Sequence, residues 1–319
     1  ASFTRVIDRT WRRTSYSALV AGTHQPGVAS EPEVTDKTDE QTVEPLAEAT
    51  TEGPAELKHV SLMNSLPFGA AFGTLVHEVL ETVDTDVADL AGEVRRRCVE
   101  AALARMAEVD IDVLAEALTA VMHTPLGSDR ELTLARIPSK DRLSELTFEF
   151  PLGSQTDPTL RDISDLMAEH LSPDDLLADY PALLRRVPAP PLRGFLTGSI
   201  DAVLRIPGDR FVVVDYKTNR TARGDLTCLD YTPESMAREM MHSHYPLQAL
   251  LYSVALHRYL RWRLKDYNPS VHLGGVQYHF VRAMIGPQTP SGCGVFEWKP
   301  SASLIAAVSD LIAGRAVAA

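Results

Sequence analysis

The spacing of apolar and polar residues predicts the strands of this protein. Within residues 143–152 (LSELTFEFPL), polar and apolar residues alternate from 145 to 150, which is the period of a half-buried strand. Residues 211–214 form a continuous apolar run, which is typical of a strand covered on both faces. A Pro-Gly-Asp turn at 207–209 predicts that this run and the segment before it form a hairpin. The predicted strands are 143–152 (LSELTFEFPL), 194–206 (GFLTGSIDAVLRI), 210–218 (RFVVVDYKT) and 274–283 (GGVQYHFVRA).

Segments with the apolar spacing of a helix lie before and between these strands in the sequence. Residues 68–83 (FGAAFGTLVHEVLETV) have apolar positions three and four residues apart, and residues 245–267 predict a long helix. Residues 85–125 are rich in Ala and Leu and continue as helices, and a helical stretch punctuated by proline follows the strand at 143–152 and extends to about residue 191. Strands flanked by helices, with a central hairpin, predict an α/β fold with a mixed central β-sheet.

Charge is distributed unevenly along the 319 residues. The net charge is −12, and residues 23–57 hold nine acidic residues against one lysine. That segment has no aromatic residue and few large aliphatic ones, so it cannot bury enough surface to offset the entropy of ordering. We expect residues 1–22 to pack on the body, residues 23–57 to be a disordered acidic linker or insertion, and residues 58–319 to form one domain. An acidic mimic of DNA is the alternative for 23–57.

Composition excludes several classes of protein. No apolar run is long enough for a membrane helix, and the three cysteines form no CxxC pair, which favours a reducing cytoplasm. Nothing resembles a phosphate-binding loop for ATP, so we expect no ATP site in this chain. The chain begins at Ala1 rather than Met, and we expect it to be part of a longer polypeptide.

Asp215 and Lys217 end the buried strand and carry the candidate chemistry. Residues two apart on a strand face the same side, so these two side chains point together. Asp201 and Asp215 lie about equally far from Gly208, so the hairpin makes them neighbours. Two adjacent carboxylates need a cation, and hard oxygen ligands suit Mg²⁺ or Mn²⁺. An ordinary salt bridge between Asp215 and Lys217 on an edge strand is the alternative.

These residues also carry a resemblance to a known family. The pattern D-x13-D-x-K looks like the PD-(D/E)xK nuclease superfamily, and "DYKTN" followed by "YPLQALLYSVALHRYL" resembles the nuclease domains of bacterial RecB-type helicase–nucleases. The resemblance extends from "TSYSAL" through "GTLVHEVLE" to "GGVQYHFVRAM". It implies a restriction-endonuclease-like core and Mg²⁺-dependent hydrolysis of DNA, with Mn²⁺ as a possible substitute.

Site residues follow from the resemblance one by one. It implies that Asp201 and Asp215 bind the metal, that Tyr216 offers its backbone carbonyl, that Lys217 is catalytic, and that His77 completes the metal shell. From the residues alone, a single histidine on an amphipathic helix is more often structural. The remaining candidates are Glu81, one turn after His77, and Gln248 and Tyr252, which match a Q-x3-Y motif. The last pair would hold the metal-binding strands or contact a phosphate, or form only a polar patch over the sheet.

Partners and rival interpretations also follow from the resemblance. It implies single- and double-stranded DNA ends as substrate, a helicase motor upstream, RecC- and RecD-like partner subunits, and a role in double-strand break repair in the bacterial cytoplasm. An AddA-type nuclease domain and an inactive nuclease fold that serves as a binding module are the alternatives. The basic and aromatic end of the long helix, 257–265 (HRYLRWRLK), suits single-stranded DNA, although an ordinary amphipathic helix is the simpler interpretation. A metal site at the two histidines of 242–246 (HSHYP) is a weaker hypothesis.

Overall fold

A computed structural model describes residues 13–20, 48–50, 52–127, 129–153 and 157–315. Within them, eight strands and ten α-helices are present. The strands are β1 (Arg13–Thr14), β2 (Pro125–Leu126), β3 (Asp129–Thr133), β4 (Arg142–Leu152), β5 (Gly194–Ile206), β6 (Arg210–Lys217), β7 (Leu273–Phe280) and β8 (Val295–Trp298). The helices are α1 (Tyr16–Val20), α2 (Ala70–Thr82), α3 (Leu90–Arg105), α4 (Ile111–His123), α5 (Leu160–His170), α6 (Tyr180–Leu184), α7 (Pro233–His242), α8 (Tyr245–Arg263), α9 (Pro269–His272) and α10 (Ala302–Ile312).

The central sheet is mixed, as the sequence predicts. Its strands lie in the order β4-β5-β6-β7-β8, and β1 runs parallel to the first residues of β5. The β6–β7 pair is parallel, whereas β4–β5, β5–β6 and β7–β8 are antiparallel. Positive φ angles at Gly208 and Asp209 close the β5–β6 hairpin, and Gly and Asp tolerate that conformation well. The predicted α/β class with a mixed sheet flanked by helices is therefore confirmed.

Helices cover both faces of the sheet, and alternation along β6 divides the core into two. Val213 packs into the core on the side of α8, while Val212, Val214 and Tyr216 pack into the core on the side of α2. Two buried faces explain the continuous apolar run, because neither side of β6 meets water. Asp215 and Lys217 fall on the α8 side by the same alternation.

Both ends of the predicted acidic linker adjoin described residues. Tyr16 and Val20 of the N-terminal segment are buried in the core on the α8 side, and the Tyr16 hydroxyl donates to the Ser243 carbonyl at 2.6 Å. At the other end, the Ala49 N–H donates to the Arg223 carbonyl at 2.9 Å, and residues 55–57 form a 3₁₀ turn. The described residues from 48 to 57 thus contact the body. Residues 1–12, 21–47 and 51 lie outside the described residues, so the division into segments stays a prediction.

Candidate metal and catalytic site

The β5–β6 hairpin brings the predicted carboxylates to one place. Ala202 of β5 pairs with Val214 of β6 at the end of the hairpin that is distant from its turn. Asp201 and Asp215 are the next residues beyond this pair, one on each strand. The Tyr216 backbone N–H donates to Asp201 Oδ2 at 2.9 Å, which fixes the Asp201 carboxylate against β6. Both carboxylates are buried. The prediction that the turn makes Asp201 and Asp215 neighbours is confirmed.

Helix α2 adds two more donor groups to this end of the sheet. The apolar residues of α2 pack into the core. With the helix in this position, His77 and Glu81, which are one helical turn apart, face Asp201. His77 Nδ1 lies 3.2 Å from Asp201 Oδ2. Donor atoms of His77, Glu81 and Asp201 all lie within 4.8 Å of one another. In the described part of the chain, this is the single cluster of three or more His, Cys, Asp or Glu residues with donor atoms that close.

Lys217 and Asp215 form a buried ion pair. Lys217 Nζ lies 2.9 Å from Asp215 Oδ2, and each side chain is 5% exposed. An ordinary salt bridge would place this pair on an edge strand of the sheet. In the structure, β6 is not an edge strand, because it lies between β5 and β7. Burying two charges costs more than a surface pair gains, so stability alone does not account for the arrangement.

Burial and neighbouring charges shift the two carboxyl groups in opposite directions. Burial raises the pKa of Asp215 to about 7, the charge of Asp201 adds to that rise, and Lys217 opposes it. Burial also disfavours the charged form of Asp201, but His77 and the Tyr216 N–H outweigh it, so the Asp201 pKa is lowered. Two neighbouring buried carboxyl groups therefore resist being ionised together, and a bound cation would relieve the repulsion between them.

The side chain of Tyr216 points away from the carboxylates. The ring is fully buried on the α2 side, in edge contact with His77 at 6.0 Å and with His279 at 5.7 Å between ring centroids. It supports the imidazole of His77 from the side. The role of the Tyr216 backbone carbonyl as a metal ligand stays a prediction.

Two tyrosines that sequence reasoning did not single out surround the ammonium group of Lys217. Its Nζ lies 3.9 Å from the ring centroid of Tyr245, at the start of α8, and 5.6 Å from that of Tyr278. Tyr278 pairs with Asp215 across β6 and β7. Lys217 is therefore held between a carboxylate and an aromatic face, which is a cation–π contact.

Gln248 and Tyr252 lie behind this aromatic pair. Gln248 Oε1 accepts from the Tyr278 hydroxyl at 2.8 Å, and Gln248 Nε2 donates to the Tyr252 hydroxyl at 3.2 Å. All three side chains are buried. These contacts favour the role in which the motif holds the strands of the site over direct contact with a phosphate.

Arg282 is a further residue that sequence reasoning missed, because no motif or periodic pattern marks it. Its buried guanidinium donates to the carbonyls of Thr218 at 2.7 Å, Met63 at 2.8 Å and Pro67 at 2.5 Å. Thr218 directly follows Lys217, and Pro67 precedes α2. Arg282 thereby joins the strand that carries Lys217 to the segment that leads into the His77 helix.

The two weaker predictions for other residues have different outcomes. In 257–265, Arg258 lies 4.3 Å from the Phe150 ring centroid and bonds to Ser309, which favours the ordinary amphipathic helix over a single-strand site, although Trp262 is 75% exposed. In 242–246, the ring of His244 is buried and shares a hydrogen bond of 3.2 Å with the Tyr180 hydroxyl. The metal hypothesis for these histidines has no support, because neither belongs to the one close cluster of donors found among the described residues.

Comparison with known proteins decides the family. The model of the PD-(D/E)XK nuclease superfamily matches residues 54–290, which include every candidate residue described above. The chain belongs to the PD-(D/E)XK nuclease superfamily. This nuclease domain is 48% identical over 97% of its length to the RecBCD enzyme subunit RecB of Mycobacterium tuberculosis, and 47% identical over 98% to that of Mycolicibacterium smegmatis. It is 31% identical over 95% of its length to the subunit RecB of Escherichia coli.

The nuclease domain corresponds to only part of these relatives. It spans 29% of the mycobacterial RecB from M. tuberculosis and 23% of the E. coli subunit. Among the described residues, no helix is both long and apolar enough to cross a membrane.

Proposed function

We propose that this chain is the nuclease domain of a RecB-type helicase–nuclease and hydrolyses phosphodiester bonds of DNA with Mg²⁺ or Mn²⁺. The observation that carries the proposal is the convergence of Asp201, Asp215 and Lys217 with His77 at one end of the sheet, in a chain of this superfamily. Its substrate would be DNA ends in the bacterial cytoplasm, during double-strand break processing. RecC- and RecD-like subunits would be its partners, by analogy with the RecBCD subunits to which it is similar.

The donor set fits a hard divalent cation. Carboxylates and a neutral imidazole are good ligands for Mn²⁺ and acceptable ones for Mg²⁺. Asp201, Asp215 and His77 would hold the ion, with the Tyr216 carbonyl beside them. Glu81 adds a carboxylate within the same cluster and would hold the ion or a water next to it. When bound, the ion would polarise the phosphate and lower the pKa of an adjacent water.

Lys217 would act on the phosphate rather than on the protein alone. Its ammonium lies between Asp215 and the Tyr245 ring, so its position is fixed before substrate arrives. A preorganised positive charge stabilises the negative charge that develops on the phosphate oxygens without reorganisation. Gln248 keeps Tyr278 in place beside this pair.

An inactive nuclease fold that only binds DNA or protein is the rival function. The complete set of carboxylates, lysine and histidine argues against it, because a binding module has no use for two buried carboxylates beside an unfavourable buried lysine. An AddA-type parent differs from a RecB-type one in its partner subunits, so the proteins that purify with the full-length parent distinguish the two.

The test is cleavage of end-labelled single- and double-stranded DNA in Mg²⁺, Mn²⁺, Ca²⁺ or EDTA. We expect cleavage in Mg²⁺ and Mn²⁺ and none in EDTA, and Asp201→Asn should abolish it. Asp266→Asn, at an exposed acid after α8, is the matched control and should cleave like the wild type. Cleavage that persists in EDTA, or in the Asp201→Asn protein, would rule out the metal mechanism.

A further inference from the structure

Phe68 is an exposed aromatic residue at the beginning of the helix that carries His77. Its relative exposure is 72%, whereas Phe72, one turn later, is buried in the core at 4%. Single exposed apolar residues are common on protein surfaces. Three features of its surroundings distinguish Phe68 from such a residue.

The first feature is its position next to the catalytic strand. The Arg282 guanidinium binds the carbonyl of Pro67 and the carbonyl of Thr218 at the same time. Pro67 precedes Phe68, and Thr218 follows Lys217. One side chain thus spans the two backbones, and Phe68 lies beside the end of β6 that carries Lys217.

The second feature is the rigidity of its backbone. Pro67 is fixed by Arg282, and the Gly69 carbonyl accepts from the Gly73 N–H at 3.0 Å in the first turn of α2. Gly69 has φ +94, a conformation that strains residues with a side chain, so the turn at 67–69 depends on this glycine. Holding an apolar ring out in water on an ordered turn brings no folding benefit.

The third feature is a cation beside the ring. The Arg220 guanidinium carbon lies 5.8 Å from the Phe68 ring centroid, and Arg220 also donates to the Gly224 carbonyl. Arg220 is three residues beyond Lys217. The first backbone N–H groups of α2 add a partial positive charge at the same place, and Gly69 has no side chain to accept from them.

We propose that Phe68 and Arg220 form a stacking site for a nucleobase of the single-stranded DNA that enters the metal site. This rests on the proposed nuclease function. An aromatic face stacks on any base, and a neighbouring arginine pairs with the phosphate, which is the usual composition of single-strand binding sites. A base in a duplex is already stacked on both sides, so the arrangement fits a single strand better than a duplex. The site would hold the strand in place while the bond beside Lys217 is cut.

The experiment measures binding and cleavage separately in four variants. Binding of a fluorescent single-stranded oligonucleotide and of the matching duplex is titrated in Ca²⁺, and single-turnover cleavage is followed in Mg²⁺ over a range of DNA concentrations. The variants are Phe68→Ala, Phe68→Tyr, Arg220→Gln and the matched control Trp262→Ala. Trp262 is similarly exposed and also contacts an arginine, Arg263 at 5.2 Å, but it lies at the far end of α8. Melting temperatures check that each variant is folded.

We expect Phe68→Ala to weaken single-strand binding about tenfold or more. Phe68→Tyr keeps the ring and should bind like the wild type, and so should Trp262→Ala. Arg220→Gln should bind less tightly and reduce the salt dependence of binding by about one phosphate contact. Cleavage by Phe68→Ala should reach its maximum only at a correspondingly higher DNA concentration.

Each contrary result has a distinct meaning. The stacking site would be overturned if Phe68→Ala bound single-stranded DNA like the wild type. It would also be overturned if Trp262→Ala or Phe68→Tyr lost as much affinity as Phe68→Ala. In each of these cases the wild-type protein would still cut DNA, so the proposed function would stand. A wild-type protein that neither binds nor cuts DNA in Mg²⁺ would overturn the proposed function and the stacking site together. A larger loss on duplex than on single-stranded DNA would also contradict the stacking site.

Discussion

Replacing Asp215 with asparagine tests the electrostatics of the site in the absence of any metal. The Asp215 carboxyl is buried, and its pKa is raised from the usual 3.8 to about 7, first by burial and further by the charge of Asp201. A carboxyl group with a raised pKa in the folded state stabilises the fold below its unfolded pKa. That stability is lost as the pH rises from about 4 to about 7. An asparagine side chain is neutral at every pH, so its contribution would not change across this range.

The size of the effect follows from the shift. One pKa unit corresponds to about 1.4 kcal/mol, so ionised Asp215 lowers the metal-free stability by roughly 4 kcal/mol above pH 7. The attraction of Lys217 is already contained in that pKa, because it opposes the shift. Asparagine keeps the size of the side chain and an oxygen that accepts from Lys217. Asp215→Asn should therefore be more stable than the wild type at pH 8 in EDTA, by up to this amount, and should not cut DNA.

The assay is urea unfolding of both proteins in EDTA at pH 5 and pH 8. Other groups titrate in this range: burial lowers the pKa of His257 to about 4, which opposes the trend of Asp215. The difference between the two proteins cancels such groups, and this difference should grow from pH 5 to pH 8 by about 3 kcal/mol or less. Mg²⁺ should then stabilise the wild type and have little effect on Asp215→Asn. A difference that stays constant with pH would refute the electrostatic argument, and normal cleavage by Asp215→Asn would refute the metal assignment.

Three other predictions concern catalysis, support of the site and the acidic segment. Lys217→Ala should lower single-turnover cleavage by ~10²–10³ and leave DNA binding in Ca²⁺ nearly unchanged; a loss of affinity alone would make Lys217 a binding residue. Gln248→Ala should cost about 1 kcal/mol in urea unfolding, because the buried Tyr278 hydroxyl loses its acceptor at 2.8 Å and keeps only the Tyr245 carbonyl at 3.2 Å; an unchanged midpoint would show that the bond is dispensable. Deletion of 24–46 should preserve the melting temperature, whereas deletion of 24–57 should lower it, because the N–H groups of Ala49 and Thr50 donate to Arg223 and Asp230 on the body.

The hairpin and its carboxylates could be predicted because every step depends on residues close in sequence. A turn at 207–209 sets the register, the register sets which residues are opposite, and the period of two sets their face. The same holds for the pair His77 and Glu81, whose common face follows from helical spacing alone. That Glu81 falls within the same donor cluster as Asp201 did not follow, because it depends on how α2 lies on the sheet.

The surroundings of Lys217 could not be predicted because they come from distant segments. Tyr245 and Tyr278 are 28 and 61 residues beyond Lys217 in the chain, and tyrosine in a helix or strand is usually explained by core packing. Their contact with the ammonium depends on the position of α8 over β6 and on the parallel pairing of β7. Neither is encoded in a local pattern of apolar residues.

Arg282 shows why the two halves of this site stay aligned although they are far apart in sequence. His77 and Asp201 are 124 residues apart, and they meet only if α2 keeps its position against β5 and β6. Asp201 makes one link, since its carboxylate faces both His77 and the Tyr216 N–H. That link includes a group expected to bind metal, so it cannot by itself hold the helix when the ion binds. Arg282 provides a second link through three backbone carbonyls, whose charge does not change when the site gains or loses a proton or an ion.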